Sequence, residues 1–294
     1  MEISFARDMG FCAGVRHAYR STVKLLGSFS RDARETYILG DLVHNRQVTE
    51  RLTAAGIKRW DPENGRLRNA RVIIRTHGET REVLQQLLDD GNEIVDLTCS
   101  VVKSVREKAI ALQSRHSAVI VIGKKDHPEV RGLVSYLRRP EVVSGLDDVA
   151  ALPAYASVGV VAQTTMGRTQ HRKLLDAIMA KFGREAVEAL DTICPHTDRN
   201  QLASRETARR CDIMLVVGDP HSSNSKRLFE VCRERNENTY FLGLAAELQA
   251  EWFPPKGDIR WKALKVGVTA GASTPDWVVA EIAERMRHLA GEEA

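Results

Sequence analysis

The sequence predicts an α/β protein of three related modules with parallel sheets, and three observations carry that prediction. Cys12, Cys99 and Cys194 divide the chain at intervals of about ninety residues, within the size range of a small domain. Each has the same surroundings, a strand-like run before it and a helical pattern after it: ISFARDMGFCAGVRHAYRSTVKLL, EIVDLTCSVVKSVREKAIAL and AVEALDTICPHTDRNQLASRETA. Strands and helices then alternate through each module, the pattern of parallel sheets joined by right-handed crossovers.

The elements follow in order. An apolar strand ending in glycine comes after each cysteine helix: TYILG, AVIVIG and IMLVVG, closing at Gly40, Gly123 and Gly218. Four residues past each glycine a polar residue opens another helix: His44, His127 and Ser222. A loop with proline or glycine (WDPENG, SGLDDVAALP, WFPPKGD) leads to a third strand, within RVIIRTHGE, SVGVVAQTT and LKVGVTAGAS. His77, Thr164 and Ser273 fall at equivalent ends of these strands, the last after a longer insertion. Each module closes with an amphipathic helix, TREVLQQLLDDG, GRTQHRKLLDAIMAKFG or DWVVAEIAERMRHLAG, whose final glycine fits a left-handed cap. The expected modules are 14–98, 99–193, and 194–282 together with 1–13; residues 283–294 form a C-terminal helix end and tail.

Composition narrows the function. With 294 residues, 43% of them hydrophobic, the chain can bury a large core. A net charge of +4, with both signs interspersed, suits an anionic small molecule; there is no basic block for nucleic acid, and 5% aromatic content argues against base stacking. No apolar run reaches the length of a membrane span, and the first residues lack a signal-peptide pattern. A cytoplasmic protein without membrane or nucleic-acid partners is therefore expected. Five cysteines, an odd number with no CxxC pair, fit neither a disulfide framework nor a zinc ribbon.

In open parallel sheets, ligand groups gather beyond the carboxyl ends of the strands. Three such edges facing one axis bring three thiols together with histidine, serine and threonine side chains. A thiol at a helix N-terminus is favoured as thiolate by the helix dipole. Three widely spaced thiols suit a cubane iron–sulfur cluster with one iron left as an open Lewis acid, with a three-thiolate zinc site as the other option. Cys211 and Cys232, beside a strand and inside a helix, read as small hydrophobes. Among the histidines, His44, His77 and His127 are selected by the repeat. His17, His116, His171 and His288 read as solvated or capping, and His196 and His221 stay open. The SSNS run from Ser222 to Ser225 reads either as an N-cap or as an anion site of hydroxyls, an amide and backbone N–H groups. Three histidines nearby favour a phosphorylated or diphosphorylated ligand. Ser273 repeats that logic in ASTPD. Glu129, at a helix start, is an ordinary first-turn acid, or, in a pocket of low polarity that would raise its pKa, a proton donor.

Read in order, GFCAGVRHA, GDLVHN, RTHGE, DLTC, HPEVRG, QTT, DTIC, SSNSKRL and VTAGASTPD resemble the 4-hydroxy-3-methylbut-2-enyl diphosphate reductase family over nearly the whole chain. The resemblance implies a trefoil of three α/β modules around a central 4Fe–4S cluster held by Cys12, Cys99 and Cys194. It implies reductive dehydroxylation to isopentenyl and dimethylallyl diphosphates, the last step of the methylerythritol phosphate route, with the fourth iron binding the substrate's allylic oxygen. It assigns the diphosphate to His44, His77, His127, Ser222, Ser223, Asn224 and Ser273. Glu129 becomes the main proton source, His127 a relay, Thr164 the partner of the hydroxyl group, and Thr197 part of the pocket wall. Electrons come from an external donor such as ferredoxin or flavodoxin. Ser100 stands where the family has proline, the following lysine is displaced to Lys103, and the turn before SSNS reads GDPH. The competing readings are a quinolinate synthase-like dehydratase, whose iron is a Lewis acid without net redox chemistry, and a non-enzymatic iron–sulfur sensor.

Overall fold

The computed structural model describes residues 1–27, 34–255 and 257–291; the end of the expected tail, residues 292–294, lies outside them. In chain order the strands are β1 (Glu2–Phe5), β2 (Thr36–Leu39), β3 (Lys58–Trp60), β4 (Arg71–Ile74), β5 (Glu93–Asp96), β6 (Ala118–Ile122), β7 (Pro140–Val143), β8 (Val158–Ala162), β9 (Val187–Ala189), β10 (Ile213–Val217), β11 (Thr239–Leu242) and β12 (Lys265–Ala270). The helices are α1 (Ala13–Leu26), α2 (Arg46–Ala54), α3 (Arg81–Asp89), α4 (Ser100–Gln113), α5 (Pro128–Val134), α6 (Leu146–Ala151), α7 (Arg168–Phe182), α8 (Pro195–Ala208), α9 (Ser223–Arg233) and α10 (Asp276–Ala290).

Among the described residues the strands form three four-stranded sheets with one permutation: β3-β2-β4-β5, β7-β6-β8-β9 and β11-β10-β12-β1. Every pairing is parallel. The α/β class with repeated parallel sheets expected from the sequence is therefore present. The last strand of each sheet feeds a cysteine helix: β5 leads to α4, β9 to α8, and β1 to α1. In the third sheet β1 docks on β12 from Glu2↔Lys265 to Phe5↔Val268, joining the two ends of the sequence.

By packing, the chain divides into two compact units. Met1–Arg16, His44–Val48 and the segment from Pro195 onward form the first, around the β12 sheet; His17–Val43 and Thr49–Cys194 form the second, with the other two sheets. The central strands β6, β8 and β10 are buried at every position, as expected for parallel strands covered on both faces. Each fully buried Ile, Leu or Val in them contributes about 1.5–3 kcal/mol. In the first unit the insertion before β12 folds back onto this core, stacking Tyr240 on Trp252 at 4.4 Å and Phe253 on Trp261 at 5.6 Å.

Two local features differ from the sequence reading. The edge strands β3, β7 and β11 lie in stretches read only as connections. They are three or four residues long, and β7 opens with Pro140, which an edge strand tolerates because it leaves one side of the ladder unpaired. The helix-ending glycines all have positive φ, and two of them close their helices as expected: Gly291 (φ 78, ψ 17) is a left-handed cap, and Gly91, just past Asp90, ends α3 in a Schellman pattern, its amide donating to Leu88 O (3.0 Å) and that of Asn92 to Leu87 O (3.1 Å). Gly183 (φ 84, ψ 140) differs and turns directly into the next strand's approach.

Candidate active site

Each of the three repeated cysteines is the residue immediately before a helix, so its side chain faces the free N–H groups of the first turn. Each is anchored by one recurring bond. The Cys12 amide donates to Ala272 O (3.2 Å), Cys99 to Thr76 O (3.0 Å) and Cys194 to Thr164 O (2.9 Å). These carbonyls lie just past β12, β4 and β8, at or beside Ser273, His77 and Thr164. The positions equated from sequence spacing are thus equivalent in hydrogen bonding. The strand-tip glycines repeat as well: Gly40, Gly123 and Gly218 each donate to the last residue of their edge strand, at 2.8–2.9 Å.

In the second unit, Glu129 sits in the first turn of α5 and is 4% exposed. Thr164 meets it twice, its amide donating to Oε1 and its hydroxyl to Oε2, both at 2.7 Å. Burial pushes the carboxyl of Glu129 up from the usual range, against the downward pull of these two bonds. The Glu129 amide donates to His127 Nδ1 at 3.2 Å, which makes His127 both the cap of α5 and a neutral imidazole with its proton on Nε2. The His77 ring stands edge-on to His127 with centroids 5.6 Å apart. Cys99 and Cys194 lie in this same unit, close enough that Cys194 disfavours charge on the Cys99 sulfur. Here one expectation is corrected. Burial outweighs the amides of Val101 and Val102, and the Cys99 thiol is pushed up rather than lowered. A helix start lowers a thiol pKa only when the thiol also keeps its hydration.

The first unit holds Cys12, His44, Thr197, Ser222, Ser223, Asn224 and Ser273. The Val15 amide donates to Cys12 Sγ at 3.4 Å. Ser222 caps α9 by accepting from the Ser225 amide at 3.3 Å, and the Ser273 hydroxyl donates to Ser222 Oγ at 3.4 Å. Capping and ligand binding were alternatives for SSNS in the sequence; Ser222 takes the first role, and Asn224 points to the second. Asn224 is buried, and neither of its amide atoms has a hydrogen-bond partner among the described residues. An orphaned buried amide costs about 1–3 kcal/mol, so its retention at a helix N-terminus favours an anionic ligand there. His44 is half-buried in the loop before α2, whose cap is the neighbouring Asn45 (Val48 amide to Oδ1, 3.1 Å).

The glycine at the tip of β10 makes this helix entry possible. A Cβ on Gly218 would lie 2.3 Å from Ser225 Oγ and 2.5 Å from Ser225 Cβ. Ser225 is fully buried, a packing residue that the sequence reading grouped with the binding residues. Gly218→Ala is expected to destabilise the protein by about 1–3 kcal/mol through overpacking. Adding Ser225→Gly should recover most of that loss in a denaturant titration; equal stabilities of Gly218→Ala and the parent would contradict the close approach.

The remaining cysteines and histidines sort as follows. Among the described residues no cysteine is in a disulfide; Cys232 is fully buried with its thiol pushed up to about 12, and Cys211 packs against Met214. Both behave as small hydrophobes. His116 departs from the solvated reading, for its ring is nearly buried with Nε2 2.7 Å from Glu188. His196 is half-buried and held toward its neutral form by burial, while His221 is exposed on the turn before α9. Gln163 escaped the sequence reading: its Oε1 accepts from the Lys124 amide at 3.1 Å and shapes the loop leading to His127.

Among the described residues no three His, Cys, Asp or Glu side chains are placed to hold a single metal ion. A cluster asks for something else, since its thiolates bind different irons. Cys99 and Cys194 near one another, and amide donors at the Cys12 and Cys99 sulfurs, fit such a group.

A family model described as LytB protein matches residues 3–287. The chain belongs to the LytB family. A family member from Geotalea uraniireducens (strain Rf4), named 4-hydroxy-3-methylbut-2-enyl diphosphate reductase, is 37% identical over 290 residues, covering 98% of each chain. A solved structure of (E)-4-hydroxy-3-methyl-but-2-enyl diphosphate reductase, described as the terminal enzyme of the non-mevalonate pathway, matches at 32% identity with a TM-score of 0.70, covering 98% of this chain and 100% of the other. The reductase structure from Plasmodium falciparum shares the fold, with a TM-score of 0.87 over 97% of this chain and 88% of the other at 23% identity. No helix among the described residues is long and apolar enough to cross a membrane.

Proposed function

We propose that this LytB protein reduces 4-hydroxy-3-methylbut-2-enyl diphosphate to isopentenyl and dimethylallyl diphosphates, consuming two electrons and two protons and releasing water. The observation that carries the reading is the buried Glu129 carboxyl bonded twice to Thr164, whose carbonyl in turn anchors Cys194. It favours Glu129 as the proton donor next to the strand end that holds Cys194. Cys12, Cys99 and Cys194 would hold a 4Fe–4S cluster, which when bound supplies the electrons and a Lewis-acidic iron. The electrons reach it from an external donor such as ferredoxin or flavodoxin in the cytoplasm. The proposed modules are 14–98, 99–193 and 194–282 with 1–13, and 283–294 ends the chain.

The chain's own residues do the rest. His44, His77, His127, Ser222, Ser223, Asn224 and Ser273 hold the diphosphate, remote from the reacting carbon, so that binding energy orients the allylic alcohol. Thr164 hydrogen-bonds the departing hydroxyl, and Thr197 lines the pocket. Burial raises the Glu129 carboxyl and so favours its protonated form, which gives its proton to the leaving oxygen, with Thr164 Oγ1 2.7 Å from the carboxyl. His127, with its proton on Nε2, relays protons between the diphosphate and Glu129. Anaerobic turnover of reconstituted protein with a strong low-potential reductant tests the reading. Two five-carbon diphosphates should form, and neither should form with Cys99→Ser. Full iron and sulfide content without either product would replace this reading with the Lewis-acid dehydratase.

A further inference from the structure

The turn that precedes α9 carries Asp219, and its carboxylate joins two segments far apart in the chain. Oδ1 accepts from the His221 amide at 2.7 Å, closing its own turn, and the Asp219 carbonyl accepts from the Ser222 amide at 3.0 Å. Oδ2 accepts from the Arg46 amide at 3.1 Å, across a separation of 173 residues. Arg46 is the first residue of α2, and His44 lies two residues before it. The helix already has a local cap in Asn45, which takes the Val48 amide. The Arg46 amide is a second orphan donor of the first turn, and water satisfies such a donor at an exposed helix start. Here it is taken by a carboxylate from the loop that presents Ser222, Ser223 and Asn224.

We propose that Asp219 is a positioning residue that clamps the His44 loop to the entry of α9 and so fixes the spacing of two groups of diphosphate contacts. The inference rests on the diphosphate reading above. A carboxylate suits the task because it accepts at both oxygens, one bond within the turn and one across to α2. An asparagine accepts at one oxygen only, so whichever way its amide sits one of the two bonds is lost. A negative charge so near a proposed anion site is tolerated because two backbone N–H groups face it, and because it holds the site's shape without touching the ligand.

The test compares the anaerobically prepared holoenzyme with Asp219→Asn and Asp219→Ala, using inorganic pyrophosphate as probe. Charge-assisted bonds are the stronger kind, so Asp219→Ala should weaken pyrophosphate binding by about tenfold, and Asp219→Asn by roughly threefold. KM for the substrate should rise in the same order while kcat stays within about threefold of the parent, as for an effect on binding alone. Hydrogen exchange over residues 44–48 should quicken in both variants. Unchanged exchange there, or unchanged pyrophosphate affinity in Asp219→Ala, would overturn the clamp while leaving the proposed reaction intact. A parent enzyme that does not bind pyrophosphate would overturn the diphosphate reading itself, and the inference with it.

Discussion

Glu129→Gln is expected to lower kcat by about 10²–10⁴ while leaving iron content and pyrophosphate affinity at the parent level, the size of effect a positioned general acid supplies. Gln preserves both contacts with Thr164: its oxygen accepts from the Thr164 amide, and its NH₂ group donates to the Thr164 hydroxyl, so the fold around α5 is retained. What it removes is the proton. The same variant separates a catalytic role from a structural one through pH. Burial raises the Glu129 carboxyl above its ordinary value of 4.5. A group raised on folding stabilises the protein fully below its unfolded pKa, and that stability is lost as pH rises through the folded value. Gln does not titrate. The thermal midpoint of Glu129→Gln relative to the parent should therefore increase as pH rises above about 4.5. A constant offset across pH would show that Glu129 is not desolvated as described, and near-parental kcat would place the proton elsewhere.

Cys99→Ala is expected to abolish turnover and reduce the reconstituted iron and sulfide content, because two thiolates do not hold a cluster that needs three. Its thermal midpoint without iron should stay close to that of the iron-free parent. The Cys99 sulfur is a weak acceptor for the first-turn amides of Val101 and Val102, so α4 loses little when it is removed. Cys211→Ala is the control, removing a packed thiol beside Met214 and leaving iron content unchanged. Parental iron in Cys99→Ala would remove Cys99 from the ligand set. Parallel loss of iron in Cys211→Ala would show that folding, rather than ligation, limits assembly.

The departures from the family pattern fall into two kinds. Ser100 and Lys103 lie in the first turn of α4, where Lys103 pairs with Asp96 at 2.6 Å, an exposed ion pair worth about 1 kcal/mol or less. They adjust a helix start and leave the Thr76 carbonyl that anchors Cys99 in place. The GDPH turn is different, because its aspartate reaches the segment carrying His44. In this chain that turn makes a contact between segments that sequence alone leaves unrelated.

The sequence by itself determined the repeat. Three apolar runs ending in Gly40, Gly123 and Gly218, and three cysteines before helical patterns, are local signals, since a strand's burial and a helix's start are written in adjacent residues. The same locality located Glu129 and Thr164 one by one. Only the tertiary structure decided that these two share a pair of hydrogen bonds. It also decided that each cysteine amide is held by the carbonyl at a neighbouring strand end, and that burial pushes the Cys99 thiol up. The edge strands β3, β7 and β11 were hidden for the same reason. They are too short for periodicity to register, and what makes them strands is a parallel ladder formed with β2, β6 and β10 rather than their own residues. Local pattern fixes which residues stand at the strand ends; desolvation and pairing across the fold fix what their chemistry becomes.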